Sequence, residues 1–249
     1  MLTSDCFSYL SCKGGINLFI YYLIFFTLGT CLCSFSQCLG WRLAQNNNLT
    51  HQHRSICDNC QSPLSFQQLI PVWGSIWGPS CAQCHYHPSI WQGILEFLAG
   101  IYCSIITYIF PLDQAMVLIA YFTWANILLF EDYYEQAVSF FLFGSGLLIL
   151  ILYSFCFCHH FSFPDQPAII LILILTSCCL SQLLGWADFL LILFWILTWG
   201  STLTCLNLLL ASSCGLLYYL FIGDDKKSLA FFPCFFPGNF ILLLFFPFY

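Results

Sequence analysis

The apolar residues of this chain fall into long runs separated by short polar breaks. A polar lead covers residues 1–15, an apolar run covers about residues 16–39, and a polar stretch of residues 40–90 follows. Runs of about twenty apolar residues cross about 30 Å of hydrocarbon, and a helix satisfies its own backbone polar groups there. The pattern predicts an all-α, polytopic transmembrane helix bundle of about 8 spans. Its remaining spans are predicted at about 91–110, 114–131, 137–157, 167–186, 188–203, 204–222 and 229–249.

Three domains follow from the same pattern. Residues 1–39 form the N-terminal lead and first span, residues 40–90 form a small loop domain, and residues 91–249 form a transmembrane domain. Residues 188–222 divide into two spans, with Gly200–Ser201 as the hinge between them.

Composition agrees with a membrane protein. Hydrophobic residues make up 60% of the 249 residues, charged residues make up 6%, and the mean hydropathy is +0.86. Soluble domains carry about 25% charged residues, so a water-exposed surface of the usual kind cannot be built from this chain. The formal net charge is −6 and no basic patch is present, which argues against a nucleic-acid partner. The predicted partner along most of the chain is the lipid bilayer.

The few cations predict the orientation in the cell membrane. Positive residues favour the cytoplasmic side, and two of them follow the first span, so the 40–90 loop is expected in the cytoplasm. Counting spans then returns Asp132, Asp188 and the lysine pair to the cytoplasmic side, provided that residues 188–222 cross twice. The cations are Lys13, Arg42, Arg54, Lys226 and Lys227.

Two Cys-x2-Cys pairs in the polar loop give the strongest local signal. Cys57 and Cys60 precede Cys81 and Cys84 by twenty residues, a pattern typical of a tetrahedral zinc site. Four thiolates leave no open position, so the predicted zinc is structural. The alternatives are two disulfides, which a cytoplasmic location disfavours, or a redox pair. The other thirteen of the 17 cysteines are interpreted as small apolar filler, and the neighbouring His85 and His87 as loop residues.

Carboxylates near the spans are the second signal. Ionisable groups at membrane depth are costly and are candidates for function. Two aspartates at the cytoplasmic ends of different spans, Asp132 and Asp188, can face one another and activate water as a proton-sharing pair. The alternative is a set of unconnected interfacial carboxylates. The remaining carboxylates near spans are Glu96, Glu131 and Glu135, and those expected as solvated loop residues are Asp113, Asp165, Asp224 and Asp225.

The order of these motifs resembles the bacterial type IV prepilin peptidase family. The N-terminal match comprises Phe35-Ser36-Gln37-Cys38, Trp41-Arg42-Leu43, Arg54-Ser55-x-Cys57-x2-Cys60, Leu69-Ile70-Pro71-Val72, Cys81-x2-Cys84 and Ile90-x5-Glu96. Downstream, the match comprises Asp132 with Val138, Gly185-Trp186-Ala187-Asp188 in place of the family's GxGD, and Leu229-Ala230-Phe231-Phe232-Pro233. The compact form is most similar to the peptidases of competence systems in Gram-positive bacteria.

Three positions depart from the family pattern. Ala187 replaces the second glycine of GxGD, Leu190 replaces a lysine, and Ser139 replaces the proline that follows the first aspartate. A small residue at position 187 still leaves room for close helix approach, whereas the missing lysine removes a charge partner.

The resemblance implies an aspartic endopeptidase that removes the leader from prepilins or pseudopilins, with Asp132 and Asp188 as its catalytic pair. It also implies N-methylation of the new N-terminus from S-adenosylmethionine, although no glycine-rich methyl-donor site is present in the sequence. Two other classes stay open: a non-catalytic zinc-loop scaffold or transporter subunit, and a membrane thiol oxidoreductase. A transporter would carry polar residues in several spans or repeated halves.

Overall fold

The computed structural model describes residues 15–44, 55–57, 59–135, 138–153 and 164–222, together with Gly238. Several predictions lie outside these residues. They concern the cations Lys13, Arg54, Lys226 and Lys227, the carboxylates Asp224 and Asp225, the Leu229–Pro233 motif and the final span at 229–249.

Within the described residues the chain forms helices and no strand, which confirms the all-α prediction. Seven α-helices and one 3₁₀ turn, Phe66–Leu69, follow one another along the chain. The helices are α1 (Gly15–Ala44), α2 (Trp73–Ile76), α3 (Ile90–Ile109), α4 (Leu112–Glu135), α5 (Phe140–Tyr153), α6 (Gln166–Leu180) and α7 (Trp186–Ile222).

Four segments are long and apolar enough to cross a membrane: Leu18–Ala44, Ile90–Ile109, Leu112–Glu135 and Gly200–Leu217. Shorter apolar helices cover Phe140–Ile149, Gln166–Leu180 and Trp186–Thr198. The structure therefore confirms a polytopic membrane protein, and the total of about eight spans stays a prediction.

Helix α7 is interrupted at the predicted hinge. Gly200 has φ 79° and ψ 171° inside the helix, a backbone conformation that residues with a side chain rarely adopt. Next to the break, Ser201 is buried and its hydroxyl donates to Asp165 Oδ2 at 2.8 Å. Asp165 also caps α6, since its Oδ1 accepts from the Ala168 N–H at 3.1 Å. Asp165 is exposed, as expected, and in addition it connects the start of α6 to the break in α7.

The chain divides into two compact units. The first contains residues 1–42 and 46–126, and the second contains residues 43–45 and 127–249. All four paired cysteines lie in the first unit, and both candidate catalytic aspartates lie in the second. The boundaries 1–39, 40–90 and 91–249 from the sequence remain a prediction.

Glycines bring α1 and α3 into close contact in the first unit. A Cβ on Gly29 would lie 2.6 Å from the Ala99 carbonyl oxygen, and one on Gly100 would lie 2.8 Å from the Phe26 ring. Small residues at such crossings let helix backbones approach in lipid, where burial of apolar surface gives little net gain. The polar loop is thereby closed at its base, because α1 and α3 flank it on either side in the sequence.

Candidate functional site

The first cysteine pair lies in a compact turn. The Cys57 N–H donates to the Ser62 carbonyl at 2.8 Å, and the Gln61 N–H donates to the Cys57 carbonyl at 2.8 Å. Gln61 has a positive φ of 58°, which reverses the chain after the second cysteine. The turn directs the sulfur atoms of Cys57 and Cys60 toward the same point.

The second pair repeats this geometry. The Cys81 N–H donates to the Tyr86 carbonyl at 2.9 Å, and the His85 N–H donates to the Cys81 carbonyl at 2.9 Å. His85 has φ 57° and occupies the position that Gln61 has in the first turn. A tetrahedral site that takes two ligands from each of two turns needs turns of similar geometry, and the matching hydrogen bonds give these two turns that geometry.

The four sulfur atoms fit a single zinc ion. All of them lie within 4.8 Å of one another, and the Cys57–Cys84 and Cys60–Cys81 sulfur pairs are each 3.6 Å apart. Zn–S bonds of about 2.3 Å in a tetrahedron put the sulfurs about 3.8 Å apart. A disulfide needs about 2.05 Å, so these distances disagree with the disulfide alternative. The cluster could hold a metal ion, in agreement with the predicted structural zinc.

Ser62 is a component of this cluster that the sequence analysis missed. Its buried hydroxyl lies 3.0 Å from Cys60 Sγ and 3.2 Å from Cys81 Sγ. The Ser62 hydroxyl, with the backbone N–H groups of Cys84 and Gln83, lowers the pKa of Cys81 to about 5. It also lowers the pKa of Cys60. In the sequence, the only signal for this role of Ser62 is a hydroxyl side chain two residues after Cys60.

Cys57 differs from Cys60 and Cys81 in the direction of its pKa shift, and His87 has hydrogen-bond partners outside the cysteine cluster. Burial raises the pKa of Cys57 to about 11, against the hydrogen bonds from the backbone of Cys60 and Asn59. His87 Nε2 lies 3.1 Å from the Gly78 carbonyl and its Nδ1 lies 2.9 Å from that of Pro88. His85 and His87 are thus loop residues, as the sequence suggested.

The two candidate catalytic aspartates lie in the second unit. Asp132 is buried in the last turn of α4, and Asp188 is half-buried in the first turn of α7. The carboxylates are near enough for the charge of Asp132 to act on Asp188. The structure therefore places these residues, distant in sequence, within electrostatic reach of each other.

Gly185 lies directly against the carboxylate of Asp188. A Cβ at this position would lie 3.0 Å from Asp188 Oδ2. The first glycine of the GxGD-like motif therefore leaves room for the carboxylate beside it.

Glu131 is as buried as its neighbour Asp132, with 4% of its surface exposed against 8%. The Ser139 hydroxyl donates to Glu131 Oε1, and Oε2 has no hydrogen-bond partner among the described residues. Ser139 stands where the family has proline, so this departure supplies a donor. Glu135, at the end of the same helix, is exposed.

Comparison with known proteins identifies the N-terminal region. Residues 27–110 match the family described as Bacterial Peptidase A24 N-terminal domain. The match covers most of α1, the cysteine loop and α3, and it confirms the resemblance to the prepilin peptidase family. Neither the search of curated proteins nor that of solved structures gives a match. Asp132 and Asp188 lie beyond the matched residues.

Proposed function

From the peptidase A24 domain at residues 27–110, we propose that this chain is a membrane-embedded aspartic endopeptidase. It removes the leader from type IV prepilins or pseudopilins at the cytoplasmic face of the membrane. One observation carries the proposal: Asp132 and Asp188, at the ends of two apolar helices, interact electrostatically. Two such carboxylates sharing a proton activate water without a metal or a nucleophilic side chain.

The pair divides the work of acid and base. The ionised carboxylate takes a proton from water as the water attacks the scissile carbonyl, and the protonated partner donates a proton during breakdown of the tetrahedral intermediate. Gly185 leaves the space that the Asp188 carboxylate occupies, because a Cβ there would lie 3.0 Å from Oδ2. The roles of acid and base belong to the pair, because a proton shared by two interacting carboxylates is not assigned to either residue alone.

The proposed substrate comes from the family resemblance. Each aspartate is near the end of an apolar helix, and with these ends on the proposed cytoplasmic side a leader meets the pair where it reaches the membrane. A cut at the boundary between a basic leader and an apolar helix leaves that helix packed among the spans. A competence system is the proposed setting, on the resemblance alone.

The cysteine loop has a structural role in this proposal. Cys57, Cys60, Cys81 and Cys84 would hold a zinc ion that closes a loop with little core of its own. N-methylation from S-adenosylmethionine rests on the family resemblance and takes no support from the geometry.

The test is leader cleavage by Asp132→Asn, Asp188→Asn and the double variant at equal membrane levels. Asparagine keeps the shape of aspartate and removes the ionisable group, so each single variant should lose at least about a thousandfold in rate. The double variant should lose little more, because the two residues act as a unit. Glu135→Gln is the matched control, because it makes the same change from carboxylate to carboxamide at an exposed position of the same helix. This variant should cleave normally.

Two results would refute the pair. Near-normal cleavage by either aspartate variant would exclude its catalytic role. If Glu131→Gln abolished cleavage while Asp132→Asn retained it, the catalytic role proposed for Asp132 would belong to Glu131, which is also buried.

A further inference from the structure

The segment between the two cysteine pairs exposes apolar side chains and carries no charge. Residues 59–95 contain no Asp, Glu, Lys or Arg. The Trp73 and Trp77 rings lie 5.6 Å apart and are 52% and 66% exposed. A water-facing loop of this length normally carries charged residues, and a cluster of exposed apolar side chains marks an interaction surface. We call the residues that form it the 66–77 surface: Phe66, Leu69, Ile70, Trp73 and Trp77.

This surface is attached to the first turn of α3. A Cβ on Gly93 would lie 2.7 Å from Ile76 Cγ1 and 3.1 Å from Ser75 Cβ. The short helix α2 therefore packs directly on α3 at a position where only glycine fits without displacing it. The 66–77 surface is held beside a membrane span rather than extended away from it.

A buried carboxylate fixes the same segment deeper along α3. Glu96 is 3% exposed, and it accepts a hydrogen bond from the Val72 N–H at 2.5 Å. Glu96 lies six residues after the start of α3, which is about 9 Å along the helix axis. The Val72 backbone is therefore at the level of the second turn of α3.

The Val72 backbone adopts a conformation that needs such support. Its φ of 64° and ψ of −53°, with the Trp73 N–H donating to the Pro71 carbonyl at 2.7 Å, form a rare and strained γ-turn. A β-branched residue is an outlier at positive φ, and such residues persist where the surroundings fix them. The turn aims the Val72 N–H at Glu96 and directs Trp73 outward.

The length of α3 sets the depth of this segment in the bilayer. Its 20 residues extend about 30 Å, which equals the thickness of the hydrocarbon core, so every turn is needed to cross. Ile90 and Trp91 at its start are 61% and 72% exposed. Exposed apolar side chains therefore occur both on α2 and on the first turn of α3, on which α2 packs.

We propose that the 66–77 surface is an interfacial anchor inserted at the headgroup–acyl boundary of the phospholipid bilayer. Tryptophan and phenylalanine favour this boundary, and an uncharged segment enters it at low desolvation cost. The occupant is lipid because α2 packs on the first turn of α3, a helix long and apolar enough to cross the membrane. The cysteine cluster then lies on the membrane surface, held there by α2 and by the bond between Glu96 and Val72.

Tryptophan quenching by brominated phospholipids tests this proposal. The full chain, reconstituted in phosphatidylcholine nanodiscs with bromine at shallow or deep acyl positions, is compared with the Trp73→Phe/Trp77→Phe variant. Shallow bromines should quench the wild type more than the variant. Roughly half of the lipid-quenched emission should be lost, because Trp73 and Trp77 are two of the four exposed tryptophans among the described side chains, with Trp91 and Trp186. The matched control is Trp195→Phe, whose ring is fully buried and whose removal should leave the lipid-quenched emission unchanged.

Two outcomes would overturn the proposal. Equal lipid quenching of the wild type and the double variant would mean that the two rings do not contact lipid. Emission from Trp73 and Trp77 that responds to aqueous iodide and not to brominated lipid would assign the surface to water or to a soluble protein partner. The single variants Trp73→Phe and Trp77→Phe repeat the comparison. The zinc content of each variant checks that the loop is folded. None of these measurements depends on peptidase activity.

Discussion

At the scale of single residues, Ser62 connects the two halves of the cysteine cluster. Its hydroxyl reaches Cys60 and Cys81, one cysteine from each turn. Hydrogen bonds from outside the ligand set orient metal ligands and stabilise their charge. The role of Ser62 therefore depends on contacts that only the folded turns create.

Wild-type protein should hold one zinc ion per chain, and Ser62→Ala should weaken zinc binding by about tenfold or more. The measurement is competition with a chromophoric chelator on purified protein. Ser80→Ala is the control, because Ser80 is exposed beside Cys81. If Ser62→Ala and Ser80→Ala bound zinc with equal affinity, Ser62 would have no role at the site. A zinc content of the wild-type protein well below one equivalent would contradict the zinc site itself.

Gly185 is a second residue whose replacement gives a sharp expectation. Gly185→Ala places a Cβ 3.0 Å from Asp188 Oδ2, so the carboxylate must move by a few tenths of an ångström. Since catalysis depends on such positions, leader cleavage should fall by about tenfold at unchanged membrane levels.

Gly144→Ala in α5 is the matched control, because a Cβ there has nothing within 4 Å. The rate of leader cleavage is compared for both variants. Equal rates would mean that the space beside Asp188 is not needed for the reaction.

At the scale of elements, the apolar pattern predicted most helices closely. The runs at 91–110 and 114–131 became Ile90–Ile109 and Leu112–Glu135, because an apolar run of span length has few alternatives to a helix in lipid. The run at 16–39 continues to Ala44, since nothing requires a helix to end where the hydrocarbon does. The hinge predicted at Gly200–Ser201 coincides with the break in α7.

Other features had no signal in the pattern. The four-residue helix Trp73–Ile76 packs on a later helix, and the bond from Val72 to Glu96 joins residues 24 positions apart. Both depend on tertiary contacts, which override local propensity in short segments. The cysteine site was predictable because its ligands are read from spacing, whereas the burial of Glu131 depends on how α4 packs.

The crossing of α1 and α3 gives an expectation at this scale. Gly100→Val would place methyl groups where a Cβ already lies 2.8 Å from the Phe26 ring. The overpacking should destabilise the first unit by about 1–3 kcal/mol and lower its thermal unfolding midpoint in detergent.

The comparison variant is Gly144→Val, which has open space around its Cβ. It should unfold at the wild-type temperature. A Gly100→Val protein as stable as this control would show that the two helices separate without cost.

At the scale of the whole molecule, the open question is how many times residues 186–222 cross the membrane. The part before the break, Trp186–Thr198, has 13 residues and extends about 20 Å, which is shorter than the hydrocarbon thickness. The part after it, Gly200–Leu217, is long enough to cross. The placement of Lys226 and Lys227 depends on whether both parts cross.

Reporter fusions at about residues 60 and 226 should both report the cytoplasm, because cations accumulate on that side. The readout is the activity of a reporter that works on one side only, with a fusion at residue 111, between α3 and α4, as the control for the opposite side. If the fusions at 60 and 226 reported opposite sides, the chain between them would cross the membrane one time fewer than predicted.

The contact of α1 with α3 also has a consequence for synthesis of the protein on the ribosome. The glycine crossing and the four cysteines are all translated before Asp132 and Asp188. The first two spans can therefore meet as a hairpin, and the loop between them can fold, while the part of the chain that carries the two aspartates is still being made. The cysteine cluster can thus be complete before the proposed catalytic pair exists.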